Sequence, residues 1–236
     1  MLKEIERLLE LFANDDLFSE YYFIGGTALA YYLNHRISYD IDFVKFEKLN
    51  VPKLKTLSIL YDAKYIPDKD ASTFKINTGE DIQNYKMSFN FNTIKVDFFY
   101  PNDLLRVTIL KKAKANIQKI YQNINILPLE TIADLKVLAL LRRSKIRDLF
   151  DVYVLLEKNI IGVDLLERYM ALENHVLTFP EFIENFKDDG SETLDFSEEN
   201  SYFDEFSKII ADKREVYIKE KIIALFVIKA LKKELK

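Results

Sequence analysis

The chain has 236 residues, with 34 Lys and Arg against 38 Asp and Glu, a formal charge of −4 and 49% hydrophobic residues. That composition supplies a core and excludes a disordered chain. The absence of cysteine excludes disulfides, a thiolate nucleophile and cysteine-ligated zinc or iron–sulfur centres, and two histidines, His35 and His175, argue against a His-rich metal site or triad.

In chain order, apolar residues at Leu2, Ile5, Leu8, Leu9 and Phe12 predict an amphipathic helix. Met1–Arg7 alternates charges where a signal peptide needs an apolar stretch, so a cytoplasmic location is expected. Tyr21–Ile24 predicts a buried strand ending at Gly25-Gly26, two of only five glycines, where the backbone has a reason to need them. Thr27–Leu33 predicts a helix, Asp40–Val44 a strand, and Val51–Leu60 a helix with Pro52 in its first turn. Strands are predicted at Tyr61–Ile66, Ser72–Asn77, Gln83–Phe91 and Thr93–Tyr100, the last two joined by a turn at Asn90–Thr93. After Pro101 the patterns are mixed. Helices are predicted at Leu129–Arg142, Lys145–Glu157 and Asp204–Leu235. The longest apolar run, Ile222–Ile228, falls far short of the roughly 20 residues of a membrane span.

A boundary is expected in 101–128, giving an α/β core at 1–128 and a helical region at 129–236, its first two helices packing on the core and completing the site. Charge is uneven. Arg106–Arg147 carries ten basic residues against Glu130 and Asp134, whereas Glu173–Glu205 carries eleven acids against Lys187. The basic segment is either a phosphate-binding surface or a solvated face balanced by the acidic one.

Two sets of carboxylates carry the chemistry. Alternation along a strand points Asp40 and Asp42 the same way. Two such charges about 5 Å apart repel by on the order of 3 kcal/mol at an effective dielectric near 20. A divalent cation reverses that sign, and oxygen ligands suit Mg²⁺. Asp97 is the only acid in the strand Ile94–Tyr100, sharing a face with Lys95 and Phe99. Three carboxylates on neighbouring strands form the two-metal arrangement of phosphoryl or nucleotidyl transfer. Gly25-Gly26, closing a strand and opening a helix, lets backbone N–H groups and the Thr27 hydroxyl approach phosphates.

The run Phe23-Ile24-Gly25-Gly26-Thr27-Ala28-Leu29, continued by His35-Arg36-Ile37-Ser38-Tyr39-Asp40-Ile41-Asp42-Phe43, resembles the signature of the AbiEii/AbiGii toxin family. These are minimal nucleotidyltransferases of the polymerase-β-like superfamily. Gly-Gly-Ser/Thr, ten residues, Ser/Thr/Arg, any residue and Asp-x-Asp are matched without a gap. Ile132–Leu140 resembles the family's Lys-containing helix, and Lys145–Tyr153 its Arg-Asp-x-x-Asp helix. The resemblance covers about residues 20–160 and implies an α+β fold, a mixed sheet flanked by helices and followed by a helical C-terminal region. It implies a Mg²⁺- or Mn²⁺-dependent transferase that moves a nucleoside monophosphate from a nucleoside triphosphate to a hydroxyl of RNA (tRNA) or protein. It also implies a role in toxin–antitoxin or phage defence, with a cognate antitoxin and no membrane. Asp40, Asp42 and Asp97 are expected to hold metal, with Asp97 the candidate base. Gly25, Gly26, Thr27, Ser38 and Lys136 are expected at the phosphates. Arg36, Arg147, Asp148 and Asp151 are expected in accessory roles. Two other classes fit the residues: a catalytically silent nucleotide-binding module, and a helical interaction protein docking through residues 160–236.

Overall fold

The computed structural model describes residues 1–113, 116–187 and 211–234. They form two compact units, Met1–Ile132 and Ala133–Lys236, and the fold is α+β.

The first unit opens with α1 (Lys3–Phe12), whose Ile5, Leu8, Leu9 and Phe12 are buried, the stripe the sequence predicts. A 3₁₀ turn (Asp16–Glu20) leads into β1 (Tyr22–Ile24), and the chain passes straight into α2 (Gly25–Leu33). β2 (Ile41–Val44) follows, then α3 (Val51–Lys55), α4 (Leu57–Leu60), β3 (Lys64–Ile66), α5 (Ala71–Thr78), β4 (Lys86–Phe91), β5 (Ile94–Phe99), α6 (Leu104–Ala113), β6 (Gln118–Tyr121) and β7 (Ile124–Ile126).

The strands form one mixed sheet in the order β3-β4-β5-β2-β1-β7-β6. β2 runs antiparallel to β1 and parallel to β5, and β7 runs parallel to β1. Alternation is clean in β5, where Ile94, Val96 and Phe98 are buried and Lys95, Asp97 and Phe99 are half-buried. The buried side is aromatic: Phe43 stacks on Phe98 at 5.5 Å between centroids and Phe12 on Phe18 at 4.0 Å. Such contacts add to the area these rings bury and fix the central strands that carry the acids.

Several sequence expectations are corrected. Ser72–Asn77 is no strand but lies in α5, which buries no residue and ends on Gly79 at φ +74°, whose N–H bonds the Lys75 carbonyl. The glycine terminator outweighs the apparent alternation of Thr73, Phe74, Lys75 and Ile76. The helix predicted over Val51–Leu60 is two short ones meeting at Thr56. The mixed region after Pro101 holds α6 and the β6–β7 hairpin, and β7 reaches the sheet interior beside β1.

The second unit is helical: most of α7 (Leu129–Arg143), then α8 (Ile146–Glu157), α9 (Val163–Leu172), α10 (Phe179–Glu184) and α11 (Ala211–Glu234). Every residue of α8 from Asp148 to Leu156 is buried, so it is the central helix, apolar nearly all round. Thr178 and Glu181 form a capping box at the start of α10. Phe179 stacks on Phe226 of α11 at 5.4 Å. The helix expected at Asp204–Leu235 is seen as α11; its first residues and most of the acidic segment fall in 188–210, outside the described residues. No described helix is long and apolar enough to cross a membrane.

Candidate active site

Strand register assembles the candidate site of the first unit. Asp42 lies opposite Ile24, the last residue of β1, and beside Asp97 of β5. Asp97 in turn faces Ser88 of β4. Asp40 stands just before β2, half-buried like Asp42 and Asp97.

Gly25 sits at φ +82°, in left-handed space, and a Cβ there would lie 2.0 Å from Asp42 Oδ2. Only glycine satisfies both demands. The Asp42 carboxylate is therefore seated against the bare backbone where β1 turns into α2. A Cβ on Gly26 would lie 2.5 Å from Arg36 Nη2 and 3.0 Å from Ser38 Oγ, so the second glycine admits a guanidinium. Arg36 is buried and donates through Nη1 to the Ile37 carbonyl at 3.0 Å. Thr27, buried, donates its hydroxyl to the Asp40 carbonyl, tying the first turn of α2 to the residue preceding β2. No side chain caps the N-terminus of α2, whose first N–H groups lack intrahelical partners. His35 is buried within the same loop.

Lys95, two residues before Asp97 on the same strand face as the alternation predicts, has no role among the sequence-based expectations, yet it is the side chain bonded to Asp97. Its ammonium meets Asp97 Oδ2 at 2.6 Å, with side chains 40% and 17% exposed. The other oxygen, Asp97 Oδ1, is buried without a hydrogen-bond partner. Burial works to lower the Lys95 pKa, but the hydrogen bond to Asp97 and the charges of Asp97, Asp40 and Asp42 outweigh it and leave it raised. All three carboxylates thus act on one ammonium. Among the described residues, no three carboxylate or imidazole groups are gathered at metal-ligand spacing. Asp97 has Lys95 as its close partner, and Asp42 is its neighbour by register. The donor set nevertheless fits Mg²⁺ or Mn²⁺: hard carboxylate oxygens, one of them buried and unsatisfied.

Lys136 belongs to the second unit. It is 5% exposed, and its ammonium lies 2.7 Å from Asp151 Oδ2 and 3.3 Å from Asp148 Oδ1. Arg143 forks onto Asp148 through Nε at 2.6 Å and Nη2 at 2.8 Å. Spacing explains the cluster: Lys136 and Arg143 share a face of α7, Asp148 and Asp151 a face of α8, and Ser144 at φ 42° turns one helix into the other. Arg147 lies half-buried in the first turn of α8. Of the basic segment 106–147, Arg106, Lys136, Arg142 and Arg143 are ion-paired with Asp103, Asp148 and Asp151, Glu173 and Asp148 respectively, and Lys114 lies outside the described residues. Those four charges balance acids within the fold.

Burial would raise the Asp148 pKa, but the charge of Lys136 and the hydrogen bond and charge of Arg143 hold it below the usual aspartate value of 3.8. A depressed carboxyl stabilises the fold above 3.8, and that contribution is lost as pH falls through 3.8 toward the folded value. Asp148→Asn is expected to destabilise the chain by about 3–5 kcal/mol at neutral pH, the usual result of breaking a buried pair. Denaturant titrations at neutral pH and near pH 3 should show the deficit shrinking in acid; an equal deficit at both would rule out the Asp148 charge as its source.

A comparison with the curated proteins returns no match. Among solved structures, a candidate nucleotidyltransferase from H. pylori aligns with a TM-score of 0.53 at 16% identity, over 100% of this chain and 99% of its own, a likeness of fold. JHP933 from Helicobacter pylori aligns at 0.48 and 17% identity, over 97% and 94% of the two chains. Residues 7–217, which include the glycine turn, all three carboxylates and the Lys136 cluster, match the family described as Nucleotidyl transferase AbiEii toxin, Type IV TA system, and the chain belongs to that family.

Proposed function

We propose that this chain transfers a nucleoside monophosphate from a nucleoside triphosphate to a hydroxyl of an RNA, such as a tRNA, or of a protein, as the toxin of a toxin–antitoxin or phage-defence pair. The observation that carries this reading is the register of Asp42 beside Asp97, with a buried, unpartnered Asp97 oxygen and the Gly25 turn against Asp42.

Asp42 and Asp97, with Asp40, would hold Mg²⁺ or Mn²⁺. The ion supplies charge neutralisation of the triphosphate and activation of the attacking oxygen. The N–H groups at Gly25 and Gly26, opening α2 without a side-chain cap, suit phosphate oxygens. Ser38, beside Gly26, adds a hydroxyl there, whereas Thr27 acts by holding Asp40. The acceptor oxygen bonds to the α-phosphorus, the bond from that phosphorus to the β-phosphate bridging oxygen breaks, and pyrophosphate leaves. Asp97 is the base that takes the acceptor's proton. Lys136 enters as a positioning cation: its ammonium is taken up by Asp151 and Asp148, which fixes α7 on α8, and Arg147 accompanies them in the first turn of α8.

The test is incubation of the protein with each α-labelled nucleoside triphosphate, Mg²⁺ and either total RNA or protein lysate. Label in a macromolecule with stoichiometric pyrophosphate release is the expected result. Release of inorganic phosphate without labelling, or binding with no release, would contradict transfer.

A further inference from the structure

Lys95 has no part in the reading above, yet its ammonium reaches one of the candidate metal carboxylates directly. It rises from the same strand as Asp97, two residues earlier and so on the same face. It bonds Asp97 Oδ2 at 2.6 Å while Oδ1 stays buried and unpartnered. An ion pair kept for stability would not leave a buried acceptor unsatisfied, because that omission costs more than an exposed pair returns. Lys95 is also the more exposed member. Its side chain is 40% exposed against 17% for Asp97, and a lysine's four-carbon stem carries its charge several ångströms without moving the strand.

We propose that Lys95 is a resident counter-ion, holding Asp97 until a divalent cation displaces it and then turning its freed ammonium to the incoming triphosphate. This rests on the metal-dependent reading above. Its physical content is competition. Before the cation arrives, Lys95 offsets the repulsion between Asp97 and Asp42, neighbours in register. Afterwards the same positive charge would oppose the ion unless it moved away, and the triphosphate is the anion to which it can move. Lys95 is thus a positioning residue for Asp97 and a phosphate-contacting residue in the loaded site.

The experiment is a Mn²⁺ titration of the full nucleotide-free chain, with free Mn²⁺ read by electron paramagnetic resonance. The variants are Lys95→Met, Lys95→Arg, Asp42→Asn, Asp97→Asn and the double variant Lys95→Met/Asp97→Asn. Lys95→Met should bind Mn²⁺ about tenfold more tightly than wild type, Lys95→Arg should stay near wild type, and the gain should vanish in the Asp97→Asn background. With Mn²⁺ saturating, Lys95→Met should bind a non-hydrolysable triphosphate analogue about tenfold more weakly, with an unchanged melting temperature. A merely structural pair would shift melting and leave Mn²⁺ affinity alone. If wild type binds Mn²⁺ and Asp42→Asn weakens it, but Lys95→Met binds as wild type does, or its gain survives in Asp97→Asn, the counter-ion role is overturned and the metal site stands. If no variant binds Mn²⁺ with or without the analogue, the metal reading falls and the Lys95 role with it.

Discussion

Asp42→Asn should lower nucleotidyl transfer by roughly three orders of magnitude, on the order of 4 kcal/mol of transition-state stabilisation, while the fold survives. The two side chains are nearly isosteric, so the amide fits the seat that Asp42 Oδ2 occupies against Gly25. What is lost is a formal charge at the place where the register puts two carboxylates side by side. The same change removes a carboxylate–carboxylate repulsion of about 3 kcal/mol at an effective dielectric near 20. Lys95 already offsets part of that repulsion, so the metal-free variant should stay folded and melt close to the wild-type temperature. Pyrophosphate release and a thermal melt on the same preparation check both halves. Full activity would remove Asp42 from the catalytic set, and a large drop in melting temperature would make its role structural.

Gly25→Ala should be the most damaging single-methyl change in the first unit. Alanine at φ +82° is strained, and its Cβ would sit 2.0 Å from Asp42 Oδ2, far inside van der Waals contact. Something must shift: the strand end, the start of α2, or the Asp42 side chain. A cost of about 3 kcal/mol is expected from conformational strain and overlap together, with loss of transfer even where the chain remains folded. Gly79 is the control. It too has a positive φ, +74°, but nothing lies within 4 Å of its added Cβ, so Gly79→Ala should cost only about 1 kcal/mol and leave transfer intact. Urea denaturation of the two variants separates the effects; equal costs would show that Asp42 does not press on Gly25.

The central part of the fold was legible because its signals are local. A short apolar run ending in paired glycines, and acids alternating with Ile41 and Phe43, state both strands and the glycine turn that carries the first into α2. The register of Asp42 beside Asp97 is different: it depends on β2 and β5 pairing across more than fifty residues of sequence, which the alternation within each strand does not specify. Ser72–Asn77 misleads because polar–apolar alternation in an exposed segment mimics a strand, and burial, which would arbitrate, is absent from α5. The β6–β7 hairpin leaves little trace in the sequence because both strands are short and β6 lies at the sheet edge, half-exposed. Lys136 illustrates the limit of spacing arguments. Its place on a helical face was readable, but its burial against Asp148 and Asp151 required two helices to meet. The shared face of Lys95 and Asp97 is readable from alternation alone, whereas the bond between ammonium and carboxylate is not.

The measurement that bears most directly on the carboxylate site is the location of Mn²⁺ by anomalous scattering in crystals grown with a non-hydrolysable nucleoside triphosphate analogue. A peak at the Asp42 and Asp97 carboxylates is expected, with the phosphates along the Gly25-Gly26 turn and Lys95 released from Asp97. A Mn²⁺ peak held by other residues, or a bound analogue with its phosphates away from that turn, would contradict that expectation.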